Sequence, residues 1–281
     1  MDITIIGLGN MGFALYSKLK ESKKYKLNLV DPKIDKILKS SKKNINVKTF
    51  KNFSDFLKAN EKKTLNIILA IKPNQLIRLK KELSLFTKKK LEEINLISIV
   101  AGVSVSALKN IFRTNNIIRA MPNTPSIVGV GMTGLYMPKN VPKQKKVLAQ
   151  DVFNLLGKTL LLKSEKKVDA VTAISGSGPA YFFKVIEILT ETGEKFGLSK
   201  KEALLLVTQT AAGSISLLEK SQESPATLRK KVTSPGGTTE AALKTFEKKL
   251  LTEAITAGVF EARDRSLAIC SELDSVFNKK T

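Results

Sequence analysis

The chain contains no histidine and no tryptophan, and Cys270 is its one cysteine. Without histidine there are no Ser-His triads, no imidazole metal ligands and no imidazole acid–base catalysis. A lone cysteine excludes a disulfide framework and a Cys-based zinc site, so no metal is expected. No uninterrupted apolar run reaches the roughly 18–20 residues that span a bilayer. The opening Met1-Asp2-Ile3-Thr4-Ile5-Ile6 also lacks the basic start of a secretory leader. These absences point to a reduced, cytoplasmic protein with no membrane partner. Aromatic residues make up 6% of the chain, too few for an evident base-stacking platform.

What is abundant is lysine. The 281 residues carry a formal net charge of +23. Residues 1–160 hold 30 Lys and Arg against 10 Asp and Glu; residues 161–281 hold 18 against 15. Such a bias raises the question of a nucleic-acid partner. The lysines, however, fall in scattered short runs (Lys23-Lys24, Lys42-Lys43, Lys62-Lys63, Lys88-Lys89-Lys90) and not along one helix face. They read as solvated surface, and no nucleic acid is expected.

Ile3–Ile6 is a β-branched run that leads directly into Gly7-Leu8-Gly9-Asn10-Met11-Gly12 and then into the helical spacing of Phe13–Leu19. Strand, G-x-G-x-x-G and helix in that order form the context of a dinucleotide fingerprint. Gly7 permits the tight turn, Gly9 admits the pyrophosphate to the backbone and Gly12 allows close helix–strand packing. A second strand, Tyr25–Val30, ends at Asp31-Pro32. Asp31 stands where an acid bonds the adenosine ribose and repels a 2′-phosphate, with Lys33 and Lys36 close by; the same Asp-Pro also suits a plain turn. Apolar runs at 65–71, 94–100 and 116–121, strands at 134–137 and 159–162, and helices at 75–85 and 142–156 continue the alternation. The fold class expected for residues 1–163 is α/β, a doubly wound, mostly parallel sheet. Ligands should meet the strand ends at Ala70–Pro73, Val100–Gly102 and Met121–Asn123.

Residues 164–281 read as all-helical, with helices at 168–196, 200–221, 225–231, 239–247 and 251–275. The stretch from Ala203 to Ile215 is apolar on nearly every face and must be buried, either centrally in a monomer or in a helix-exchanging homodimer. Val232-Thr233-Ser234-Pro235-Gly236-Gly237-Thr238-Thr239 joins a sharp glycine turn to a helix start. It suits either a simple helix–helix connection or a cradle of N–H groups for a small anion.

Gly7–Gly12, Ala70–Pro73, Arg119–Pro125, Asp169–Tyr181 and Val232–Thr239, in this order, resemble the pyrroline-5-carboxylate reductase family across essentially the whole chain. The resemblance implies a Rossmann domain followed by an all-α dimerisation domain, with homodimers that can assemble into larger rings. It also implies the last step of proline biosynthesis, the reduction of (S)-1-pyrroline-5-carboxylate to L-proline by NADPH or NADH. By position, Ile6, Gly7, Leu8, Gly9, Asn10, Met11, Asn52, Ala70, Ile71, Lys72, Pro73, Val100 and Ala101 would contact the cofactor. Glu165, Thr238 and Thr239 would line the substrate pocket.

The chemistry accords with the residues present. A cyclic imine can bind already protonated, so no histidine is needed. Ser234, Gly236, Gly237, Thr238 and Thr239 would seat the substrate carboxylate, and the Thr239 hydroxyl would face the ring nitrogen as the catalytic group. β-Hydroxyacid and 6-phosphogluconate-type dehydrogenases share the Rossmann-plus-helices build, but no convincing match to their catalytic-lysine signature is found here.

Overall fold

Short aliphatic and β-branched runs form the strands, and amphipathic segments form the helices between them. The computed structural model describes residues 1–37, 46–60 and 64–277; Lys42-Lys43 and Lys62-Lys63 lie outside the described residues. The elements of the first part are β1 Asp2–Ile6, α1 Asn10–Leu19, β2 Lys26–Val30, α2 Ile34–Ile37, β3 Val47–Phe50, α3 Phe53–Ala59, β4 Leu65–Leu69, α4 Leu76–Leu83, α5 Lys88–Glu92, β5 Ile94–Ser98, α6 Val105–Phe112, β6 Ile117–Met121, β7 Gly131–Tyr136, α7 Lys143–Asn154 and β8 Gly157–Leu162. The strands form one sheet in the order β3-β2-β1-β4-β5-β6-β7-β8. The pairs from β3 to β6 are parallel, β6 with β7 is antiparallel, and β7 with β8 is parallel again.

The strand order reverses direction at β1 and β4, the switch point where open α/β sheets bind ligands. Helices cover both faces over two apolar clusters. Phe53, Phe56, Leu108 and Phe112 anchor one; Leu15, Leu19, Val152 and Phe153 anchor the other. All five residues of β5 are buried, which explains its continuous apolar run.

The short β3 and α3 carry no strong periodic signal in the sequence. Asn52 creates the helix start: its side chain accepts from the Asp55 N–H at 2.8 Å. The expected helix over 168–196 is interrupted. α8, Lys167–Val171, passes into a π turn over Thr172–Gly176 before α9, Gly178–Lys195. The Asn123 side-chain amide donates to the Ser175 carbonyl at 3.2 Å, and a Cβ on Gly176 would stand 2.7 Å from the Met121 Cε. A side-chain donor and a missing Cβ thus hold the wide turn against the end of β6.

The chain separates into two compact units, Met1–Ser177 with the chain from Ala262 onward, and Gly178–Glu261. The second unit holds α9, α10 Lys200–Ser221, α11 Pro225–Lys231, α12 Thr238–Lys248 and the first part of α13 Leu251–Phe277. Ser199 and Glu202 close a capping box on α10, and Ser224 caps α11 ahead of Pro225.

Candidate active site

In the first unit the residues expected to meet a cofactor gather along the carboxyl edge of the parallel strands. Adjacent strand ends are locked by backbone bonds: Gly7 N–H to the Val30 carbonyl at 2.8 Å, Ala70 N–H to Ile6 at 2.8 Å, Ile99 N–H to Leu69 at 3.0 Å and Asp31 N–H to Phe50 at 3.1 Å. Gly7–Met11 follow β1, Asp31 follows β2, Asn52 follows β3, Ala70–Pro73 follow β4, and Val100 and Ala101 follow β5.

The three glycines of the first loop do different work. Gly7 has φ +90°, and a Cβ there would lie 2.7 Å from the Ala70 carbonyl oxygen. A Cβ on Gly12 would run into the Gly7 carbonyl. At Gly9 a Cβ would meet nothing within 4 Å, and Gly9 caps α1 with no side-chain bond. Two glycines are therefore required by packing, while the third leaves the first turn of α1 open. This is the form of a phosphate cradle at a helix N-terminus.

Asp31 forms the turn expected of it and also bonds the glycine loop. One carboxylate oxygen accepts from the Leu8 N–H at 2.8 Å and the other from the Lys33 N–H at 2.8 Å. The Asp-Pro turn is real, and it is also clamped to the glycine loop. Beyond it opens a cleft of about 310 Å³, walled by Gly7, Pro32, Lys51, Asn52, Ile71 and Arg78 among others. Lys51 and Arg78 were not foreseen. Each is paired, Lys51 with Asp35 at 2.9 Å and Arg78 with Glu82 at 3.3 Å. The Lys72 N–H donates to the Gln75 side chain at 2.9 Å, starting a 3-10 turn at Pro73.

Glu165 sits just beyond β8 on the buried Arg119 of β6, at 2.8 Å, and also accepts from the Val105 N–H at 2.7 Å. Nearby, Asp274 accepts from the Ser104 hydroxyl and Asp169 from the Ser266 hydroxyl. Burial, with Asp274 adding to it, pushes the Cys270 thiol above its ordinary range. Among the described residues no group of His, Cys, Asp and Glu side chains is arranged to hold a metal ion. No described helix is long and apolar enough to cross a membrane.

In the second unit Ser234, Gly236 and Gly237 lie between α11 and α12, and Thr238 and Thr239 open α12. Gly236 has φ +72°, and Gly237 caps α12 without a side-chain bond. The Gly237 N–H closes the turn on the Ser234 carbonyl at 3.0 Å, and the Gly236 N–H donates to the Glu240 carboxylate at 3.0 Å. Among the described residues the N–H groups of Thr238, Thr239 and Glu240 meet no acceptor. Glu240 was missed. The signal available was its place three residues after a small N-cap residue, the spacing of a capping box.

Residues 165–269 match the family described as pyrroline-5-carboxylate reductase dimerisation, and residues 2–102 match that described as NADP oxidoreductase, coenzyme F420-dependent. The pyrroline-5-carboxylate reductase of Pseudomonas aeruginosa is 36% identical over 74% of this chain and 75% of its own. The Bacillus subtilis pyrroline-5-carboxylate reductase 2 is 32% identical over 95% and 94%. The chain belongs to the pyrroline-5-carboxylate reductase family.

Solved structures agree along nearly the whole length. The Plasmodium falciparum pyrroline carboxylate reductase with NADP bound superposes with TM-score 0.80 at 31% identity, covering 96% of this chain and 98% of that one. The Coxiella burnetii reductase gives 0.81 at 32%, covering 95% and 97%. The likeness thus extends over both units.

Proposed function

We propose that the chain is an NAD(P)H-dependent pyrroline-5-carboxylate reductase that converts (S)-1-pyrroline-5-carboxylate to L-proline. The observation that carries this reading is identity to named reductases along nearly all of the chain, 32% over 95% of it for the Bacillus subtilis protein. When bound, the dinucleotide supplies the hydride. The open first turn of α1 above Gly9 would hold its pyrophosphate, with Ile6–Met11, Asn52, Ala70–Pro73, Val100 and Ala101 around it. A relative that carries NADP supports a nicotinamide dinucleotide here. The charge of Asp31 opposes a 2′-phosphate while Lys33 and Lys36 follow close behind it in the chain, so NADPH and NADH both stand as hydride donors.

The substrate carboxylate is assigned to the backbone donors of the loop from Ser234 to Thr239, and Glu165 to the pocket wall. The Thr239 hydroxyl is assigned to the imine nitrogen, where it orients the ring or relays a proton to it. We divide the labour at about residue 163, with nucleotide binding before it and substrate binding and dimerisation after it. Self-association is supported by unit 178–261, where only Gly178, Thr190 and Ala203 are buried. A single cysteine suits a reducing compartment, and we assign the enzyme to the cytoplasm.

Purified protein given pyrroline-5-carboxylate should oxidise NADPH or NADH and yield proline. Thr239→Ala should lower kcat at least about tenfold while cofactor affinity stays near wild type. Lost cofactor affinity with unchanged turnover would refute the role given to Thr239.

A further inference from the structure

The loop assigned to the substrate carboxylate already holds a carboxylate of its own chain. Glu240, in the first turn of α12, accepts from the Gly236 N–H at 3.0 Å, and Lys244 one turn on lies 3.2 Å from the same oxygen. Gly237 spends its N–H on the Ser234 carbonyl. Two backbone donors of the loop are thus used internally, and those of Thr238 and Thr239 are left. In a capping box the third helical residue satisfies the cap residue's own N–H. Here the side chain reaches one residue farther, to the left-handed Gly236 (φ +72°) that shapes the turn. A Cβ on Gly236 would meet nothing within 4 Å, so packing does not fix this glycine. Beside the Gly237–Ser234 turn bond, the bond to Glu240 is the one that holds its N–H. The Gly236 amide first, and Lys244 second, also hold the Glu240 carboxyl below its ordinary range, as for an engaged anion.

We propose that Glu240 is a positioning residue for the substrate carboxylate: it pins Gly236 and leaves the Thr238 and Thr239 N–H groups as the seat for one carboxylate. This rests on the reductase reading above. The alternative geometry, in which the substrate displaces Glu240 from Gly236, would bring two carboxylates together beside one turn of helix, with Lys244 as the nearest cation.

The test is steady-state kinetics of the full chain with pyrroline-5-carboxylate, alongside NADPH binding and thermal melting. Glu240→Ala should raise KM for the imine about fivefold or more, the loss of one charge-assisted bond, with kcat and NADPH affinity within about twofold. Glu240→Gln, which keeps an acceptor for Gly236, should stay within about twofold of the wild-type KM. An unchanged or lowered KM in Glu240→Ala overturns the proposal, a lowered one because Glu240 would then compete with substrate. A KM for Glu240→Gln as high as that of Glu240→Ala overturns it too. If the Ala variant does not fold, Glu240→Asp, too short to reach Gly236, takes its place. An inactive wild type would overturn both readings; an active wild type with an unchanged Ala variant overturns this one alone.

Discussion

The Arg119 guanidinium lies 2.8 Å from the Glu165 carboxylate, joining the last strand of the parallel run to the segment that follows the sheet. The same oxygen receives the Val105 N–H, at the first residue of α6. Arg119 is 4% exposed and Glu165 30%, so the pair is sheltered on one side and open on the other. Arg119→Met should destabilise the first unit by up to the about 3–5 kcal/mol typical of breaking a buried pair. The outward face of Glu165 keeps the cost toward the lower end. Urea unfolding measures it, and a loss under about 1 kcal/mol would show that solvent already compensates Glu165.

The glycine loop makes two opposite forecasts. Gly12→Ala drives a Cβ into the Gly7 carbonyl, so the protein without ligand should melt several degrees lower. Gly9→Ala meets nothing within 4 Å, so its melting temperature without ligand should match wild type. Its stabilisation by NADPH or NADH should nevertheless fall sharply if, as proposed, the pyrophosphate approaches the backbone at Gly9. Full cofactor stabilisation of Gly9→Ala would remove the loop as the phosphate site.

The difference between these glycines shows how far the sequence could be read. Strand, glycines and helix identify the cradle, since only that order puts a helix N-terminus over a strand end. The helices of 178–261 are equally legible because their apolar spacing is long. β3 and α3 were not: four and seven residues carry too little periodicity. Nor was the pairing of Arg119 with Glu165, whereas the spacing that sets Glu240 beside the helix start was there to be read. A side chain 46 residues from its partner leaves no local signature.

Asp31 tests the choice between dinucleotides. Its two oxygens are held by Leu8 and Lys33, so its charge is fixed at the end of β2. A unit charge about 4 Å from a phosphate is worth on the order of 1–4 kcal/mol between water and the protein surface. Asp31→Ser should therefore shift the ratio of kcat/KM for NADPH over NADH upward by about fivefold or more. An unmoved ratio would restrict Asp31 to its turn.

Two glutamates, exposed Glu202 and half-buried Glu240, set an acid limit for the helical unit. Glu202, through the Ser199 hydroxyl first and the Ser199 backbone second, and Glu240, through Gly236 and Lys244, both have carboxyls held below the ordinary range. A depressed folded pKa contributes stability that is complete above the unfolded value of about 4.3 and is lost as pH falls through the folded value. Melting temperature should therefore drop on the acid side of about pH 4.3, and more gently in Glu202→Gln with Glu240→Gln. Equal slopes for variant and wild type would show that neither bond contributes.

The exposure of the second unit makes the last forecast. Leu205 is 66% exposed, Leu206 56% and Ile215 51% on α10, and Phe182 on α9 is 65% exposed. Phe182, Leu206 and Ile215 line an apolar groove of about 750 Å³ between the two helices. Burying each such side chain is worth about 1.5–3 kcal/mol, so a unit that leaves them in water has little reason to stay folded alone. A second copy offers the same surface, as an isologous interface requires. Sedimentation should give a dimer or a larger even assembly at micromolar concentration. Leu206→Glu should shift it toward monomer and lower the melting temperature together, if association and folding draw on the same apolar area. A monomer that keeps the wild-type melting temperature would show that the groove is stable without a partner.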